Sequence, residues 1–281
     1  MDIRLPAALA ATLGPILATE MPPQGSAFEV AIVTTSRGRF VIKRGPTAET
    51  RAELAEESHV LKALRGERPF IAAPVGFIPG ADTDTFAFTA IEGETMLSAL
   101  KRANEAERHA FVARFGAALR RIHGWTPPLP CPDDWLRMII TREQARMEEL
   151  PVGSVIRGTH TRFDGQDARR IATDLRAWGS RITTDIAFGH GDFCLPNVLV
   201  RRGAVVGVID WSRGGYGDRR FDLATGLFNL RYNVGDAAYL TTFLRAYGYE
   251  EPVETLRMFE ALHALTCCHP ARGAGPEQFL D

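Results

Sequence analysis

Between residues 189 and 224 the chain reads GHGDFCLPNVLVRRGAVVGVIDWSRGGYGDRRFDLA, with polar residues spaced for work on a phosphate. His190-Gly191-Asp192 is followed by four residues and then Asn197. Val198 to Val200, a turn at Gly203 and Val205 to Ile209 lead back to Asp210. Transfer of a phosphoryl group from a nucleotide needs one carboxylate to orient or deprotonate the attacking hydroxyl. It also needs an amide oxygen and a second carboxylate to hold Mg²⁺ against the phosphates. Asp192, Asn197 and Asp210 are those types, and a returning β-ribbon would bring the third beside the first two. The spacing matches a protein-kinase catalytic loop with Gly191 in place of the arginine. Taken singly, His-Gly-Asp and Ile-Asp-Trp are turn sequences. Their joint occurrence, with Asp218 and Asp222 downstream, favours chemistry.

Such a site also needs a cation on the donor phosphates. Thirty of the 33 basic residues are arginine, so only Lys43, Lys62 and Lys101 are candidates for a lysine's role. Lys43 ends the run Arg39-Phe40-Val41-Ile42, where strand alternation turns it opposite to Ile42. Lys62 and Lys101 fall in helical, charged surroundings that suit solvated side chains. Glu57, with Leu61 and Leu64 after it, is the preferred anion for Lys43. Glu53 and Glu56 stand next, because helix phase is open at this point.

The elements that must position these residues change character near residue 90. FEVAIVTT and RFVIK, joined by Ser-Arg-Gly, read as a hairpin; PFIAAPVGFIPG and TFAFTAI read as further strands. Leu54, Val60, Leu61 and Leu64 fall at helical spacing between them. Leu5, Leu9, Leu13 and Leu17 recur every four residues, as on one face of a short opening helix. After Ile91-Glu92-Gly93-Glu94 the chain is mainly helical, with helices through Phe111, Phe115, Leu119 and Ile122 and over roughly 133–149 and 165–180. The expected fold is α+β and bilobal. A small β-rich lobe spans 1–89, a connector 90–94 and a larger helical lobe 95–281, with the site in the cleft between the lobes.

HGDFCLPNVLV and GVIDWSRGGYGDRRFDLA together resemble the aminoglycoside phosphotransferase family, antibiotic kinases with a protein-kinase-like fold. The likeness covers most of the chain. It implies that Asp192 is the catalytic base or orienter, that Asn197 and Asp210 bind Mg²⁺, and that Lys43 with Glu57 grips the donor phosphates. By the same resemblance Gly25, Ser26 and Ala27 offer backbone amides to the phosphates. Thr89 and Ile91 supply main-chain hydrogen bonds to the base, and Ile209 lines the nucleotide pocket. Arg213 matches a position that contacts acceptor or phosphate, and His190, Asp218 and Asp222 fix the loop. The implied donor is ATP or GTP and the implied acceptor a small hydroxylated, cationic molecule.

The acceptor side departs from that pattern. Tyr232 and Asn233, and His263 and Ala264, stand where acids are expected for a polycationic substrate. Residues 151–185 carry six arginines against four aspartates. Acids remain at Asp133, Asp134, Glu143, Glu148, Glu149, Asp164 and Asp167. An aminoglycoside is the first expected acceptor and a basic cyclic peptide of the viomycin or capreomycin type the second. A metabolite kinase for a sugar, choline-like amine or amino alcohol is a same-fold alternative. A catalytically dead nucleotide-binding module is disfavoured by Lys43, Asp192, Asn197 and Asp210 occurring together.

The whole-chain numbers fit a globular protein of 281 residues whose 33 basic and 34 acidic residues nearly cancel. That balance argues against nucleic-acid or membrane partners. Four cysteines do not make a disulfide framework, and no apolar run is long enough for a membrane span. The expectation is a cytoplasmic monomer. His263, Cys267, Cys268 and His269 are zinc-ligand types, with His263 and Cys267 one helical turn apart, and the adjacency of the last three disfavours a tetrahedral site.

Overall fold

The computed structural model describes residues 5–22, 28–67, 69–157, 163–235 and 237–267. A five-stranded antiparallel sheet forms the first lobe, in the order β1-β2-β3-β5-β4. Its strands are β1 (Ile16–Glu20), β2 (Glu29–Thr35), β3 (Gly38–Gly45), β4 (Pro74–Ile78) and β5 (Asp84–Thr89). Period-two alternation gives the sheet two apolar faces. Val33, Phe40, Ile42 and Ala87 pack on Leu9 and Leu13 of the short helix α1 (Ala7–Leu13). Phe86 and Phe88 face the other way, onto Leu54, Val60 and Leu61 of α2 (Ala48–Ala63). Thr47 and Thr50 close a reciprocal capping box at the start of α2, which fixes where that helix begins.

The every-fourth leucine pattern breaks at Leu17. Gly14, at φ 76°, and Pro15 stop α1, and Leu17 falls on the edge strand β1, where it is 68% exposed. A 3.6-residue period cannot survive that turn, so Leu9 and Leu13 are buried and Leu5 packs partly buried against them, while Leu17 is not part of the core.

Residues 90–93 cross to β6 (Glu94–Thr95), which pairs with β8 (Val198–Arg201), itself paired with β9 (Ala204–Val208). The helices that follow are α3 (Met96–Arg102), α4 (Glu105–His123), α5 (Trp135–Glu148) and α6 (Ala168–Gly179). Beyond the ribbon come α7 (Arg219–Asn233), α8 (Ala237–Tyr247) and α9 (Arg257–Thr266). A further strand, β10 (Gly215–Asp218), pairs with β7 (Ile186–Gly189). Its two glycines, Gly215 and Gly217, hide it from sequence patterning. One apolar cluster runs without a break from α2 and β5 through Phe193 and Leu195 to Phe115 of α4 and Phe243 of α8. A second joins α5, α6, α7 and α9. The architecture is the α+β, two-lobed one, with the second lobe mainly helical.

Candidate active site

Lys43 is nearly buried on β3, and its Nζ donates to Glu57 Oε2 and to Asp210 Oδ1, each at 2.9 Å. The helix phase left open by the sequence is therefore settled for Glu57, which is 1% exposed. The other Glu57 oxygen, Oε1, accepts from the backbone N–H of Trp211 at 3.2 Å, so one side chain of α2 holds both the lysine and the loop after Asp210. Burial alone would lower the Lys43 ammonium, but the two carboxylates outweigh it and hold the pKa well above the ordinary lysine value. Burial likewise pushes Asp210 up, and the adjacent Lys43 reverses this, holding its carboxyl below the usual range. Asp210 adopts φ 65°, a left-handed backbone that Asp tolerates better than most residues.

The catalytic-loop candidates sit opposite. His190 and Gly191 donate their backbone N–H groups to the two oxygens of Asp222, at 2.7 and 2.9 Å. His190 Nε2 meets the Ile209 carbonyl at 2.9 Å while its Nδ1 accepts from the Asp192 N–H at 3.3 Å, which assigns the proton to Nε2. Asn197 Nδ2 donates to the Asp192 carbonyl at 3.0 Å, and the Ile209 N–H donates to the Asn197 carbonyl at 2.9 Å. The ribbon of β8 and β9 thus returns Asp210 directly to Asn197. Gly191 is at φ 76°, and a Cβ there would lie 2.2 Å from the Arg213 carbonyl. That approach leaves no room for a side chain at position 191.

Asp192 is half-buried, and burial raises its carboxyl above the usual aspartate value despite the opposing charge of Arg213. Arg213 itself is exposed, and it interacts electrostatically with Asp192, Glu53 and Asp210. Asp218 caps α7 through the Arg220 N–H and pairs with the Arg220 guanidinium at 2.6 Å. Asp222 is buried, and its oxygen Oδ2 also lies 3.3 Å from His123 Nε2. Burial raises Asp222, but the His123 contact and the loop N–H groups more than offset it, leaving the carboxyl low.

The Thr89 N–H donates to the Ala73 carbonyl at 2.9 Å. Ile91 packs, partly buried, against the cluster that runs from α2 and β5. Gly25, Ser26 and Ala27 lie outside the described residues, as do Cys268 and His269. His263 and Cys267 approach to 4.0 Å, and among the described residues no group of three or more His, Cys, Asp or Glu is placed to hold a metal. Cys131 and Cys194 are free thiols.

Sequence reading missed three supports. The Phe28 ring lies 4.3 Å from Lys43 Nζ. Its signal was present, since Val30 pairs with Lys43 and Phe28 shares the face of Val30. Asn229 Oδ1 accepts from the Leu195 N–H at 3.0 Å, tying α7 to the loop. His123 Nδ1 lies 2.8 Å from the Tyr247 hydroxyl, which anchors it for Asp222. No local spacing announces the last two, because their partners are 34 or more positions away in sequence.

The model of the phosphotransferase enzyme family matches residues 20–259. An aminoglycoside 3'-phosphotransferase of Niallia circulans is 27% identical over 146 residues, 52% of this chain and 54% of that protein. A streptomycin 3''-kinase of Streptomyces griseus is 32% identical over 166 residues, covering 53% and 58%. The chain thus spans little more than half the length of these curated relatives. Among solved structures, an aminoglycoside phosphotransferase of Streptomyces rimosus in complex with ADP and streptomycin superposes with a TM-score of 0.67. The identity is 21%, covering 86% of this chain and 94% of that one, so the likeness is one of fold.

Proposed function

The chain belongs to the phosphotransferase enzyme family, and on that premise we propose that it transfers the γ-phosphate of ATP or GTP to a hydroxyl of a small-molecule antibiotic. The observation that carries this reading is the junction of the two lobes at Lys43, where Glu57 and Asp210 converge within 2.9 Å while Asp210 is tied back to Asn197 and Asp192. In this reading Lys43 moves from Asp210 to the donor phosphates while Glu57 keeps it aimed. Asp192 accepts the hydrogen bond of the acceptor hydroxyl and aligns it with the γ-phosphate. Its raised pKa brings it nearer to the proton it must receive.

The donor set suits Mg²⁺. Asp210 is kept ionised by Lys43 and its side chain is 39% exposed toward the cleft. The Asn197 amide nitrogen is engaged by the Asp192 carbonyl, which leaves the amide oxygen as a hard ligand. Bound there, the ion would neutralise charge developing on the phosphates. The names of the relatives put aminoglycosides first among antibiotics to try. A metabolite of low charge is the second reading, favoured by the arginines that already neutralise Glu143 and Glu260.

The test is release of ADP from Mg·ATP with and without an acceptor panel, for the wild type and for Asp192→Ala. The expected result is acceptor-dependent ADP release that falls by about 10³-fold or more in the variant, with nucleotide affinity retained. Full activity in Asp192→Ala would sink the mechanism.

A further inference from the structure

The ammonium of a lysine carries three N–H groups set in tetrahedral directions. On Lys43, Glu57 Oε2 and Asp210 Oδ1 take two of them, each at 2.9 Å. The third side is covered by the Phe28 ring, whose centroid lies 4.3 Å from Nζ. The lysine side chain is 8% exposed. A phosphate oxygen that is to reach Nζ must therefore take the place of one of these three neighbours.

They differ in how easily they yield. Glu57 is buried on α2, and its second oxygen holds the Trp211 N–H at 3.2 Å, so moving it would break the loop contact as well. Asp210 holds the ammonium by charge as well as by hydrogen bond. Phe28 is neutral, and a ring face attracts an ammonium less than a carboxylate or phosphate oxygen does. It packs, partly buried, against the cluster of α2 and β5. It also stands one residue before the β2–β3 ladder, which begins with Glu29 opposite Arg44. Rotation about its χ1 between staggered positions breaks no bond of that ladder. The register explains its reach: Val30 faces Lys43, and Phe28, two residues earlier on the same side, is a diagonal neighbour.

We propose that Phe28 is a displaceable cover on Lys43, a ring that a phosphate oxygen of the donor must turn aside to reach Nζ. The ring then sets how tightly the donor's phosphates are held and leaves the hold on its base unchanged. The inference rests on the phosphotransferase reading and adds a positioning residue to its donor site. A ligand shifts the ring only through its differential affinity for the two ring positions. Adenosine, which has no phosphate, brings no oxyanion to Nζ and should not shift it.

The experiment uses the scarcity of lysine. In the full chain labelled with carbon-13 lysine, side-chain signals arise from Lys43, Lys62 and Lys101 alone. The ring current of Phe28 should move the Lys43 ε-methylene signal upfield, and Phe28→Leu assigns that signal by removing the shift. Saturating Mg·ATP is expected to bring the wild-type signal to the position seen in Phe28→Leu, and adenosine to leave it in place. An upfield shift retained at saturating Mg·ATP would overturn the proposal, and so would a spectrum that Phe28→Leu does not alter. Titration calorimetry gives a second readout. Phe28→Leu should bind Mg·ATP about threefold to tenfold more tightly than the wild type. Phe28→Trp should bind it more weakly by a similar factor, because indole is the better partner for a cation. Equal changes for ATP and adenosine, no change for ATP, or weaker ATP binding by Phe28→Leu would each count against the cover. Binding of Mg·ATP to the wild type is measured first. Its absence strikes the phosphotransferase reading itself, whereas a ring that stays over Lys43 in the ATP complex strikes only the role given to Phe28.

Discussion

The two ends of the cleft deploy their charges in opposite ways. At the nucleotide end, one lysine is held between two carboxylates and one of them, Asp210, remains partly open to solvent. Those charges can be re-paired when phosphates arrive. On the side that the proposed reading gives to the acceptor, Glu143 and Glu260 lie buried with arginines, and burial lowers the pKa of His263 to about 4. The Arg231–Glu260 pair ties α7 to α9, while Glu143 is paired within α5, and a ligand would have to break these pairs to use them. The same residue types therefore serve as a working site in one place and as structure in the other. Burial of the partner and access to the cleft decide which.

The sharpest way to break this comparison is at Lys43. Lys43→Met should lower kcat/KM by about 10²–10³-fold, the scale for losing one preorganised group at a transferring charge. Steady-state kinetics checks it, with a melting curve to confirm folding. A variant of wild-type activity would mean that the nucleotide end is as structural as the acceptor end.

Asp222 sharpens the comparison from below, since it holds the loop without touching the cleft chemistry. Asp222→Asn weakens the bonds from the His190 and Gly191 N–H groups and should cost about 1–3 kcal/mol in denaturant unfolding. The sign with pH follows from its lowered pKa. In the wild type this stabilisation is present above the unfolded aspartate value, about 4, and is lost as pH falls through the lower folded value. The Asn variant should lack that acid-side loss. A variant as stable as wild type would remove Asp222 from the support of the loop.

His263 gives an effect confined to mildly acid pH. Burial lowers its folded pKa to about 4, below the ordinary imidazole value of about 6.5, so the unfolded chain binds the extra proton between the two. Stability should fall as pH drops through that window, by about 3 kcal/mol at most. His263→Phe should flatten that part of the profile, measured by unfolding at pH 7 and 5. An unchanged slope would mean that the acceptor end is wetter and more charged than its packing implies.

The parts of the site legible in the sequence were those whose spacing is local. Asp192 and Asn197 share one loop, Asp210 returns on one ribbon, and scarcity of lysine singled out Lys43. Glu57 needed the helix phase, which only packing against β3 and the loop at Trp211 supplies. The hairpin and the long helices were visible because alternation and 3.6-residue spacing are strong there. The strand β10 was not, since glycines carry no pattern, and neither was the stop after Leu13, where a leucine repeat runs across a turn. The arginine pairing of Glu143 was also hidden. Its neighbours Arg142 and Arg146 are close in sequence, yet nothing in the sequence says that the glutamate between them is fully buried.

The central claim is that the Asp192 loop directs a phosphoryl group to a hydroxyl. It is tested most directly by following radiolabel from the γ-phosphate of ATP into acceptors, in the wild type and in Asp192→Ala. Label should appear as a phosphate ester on a small molecule with the wild type, and not with the variant. Label transferred equally by both proteins, or released only as inorganic phosphate whatever the acceptor, would contradict it.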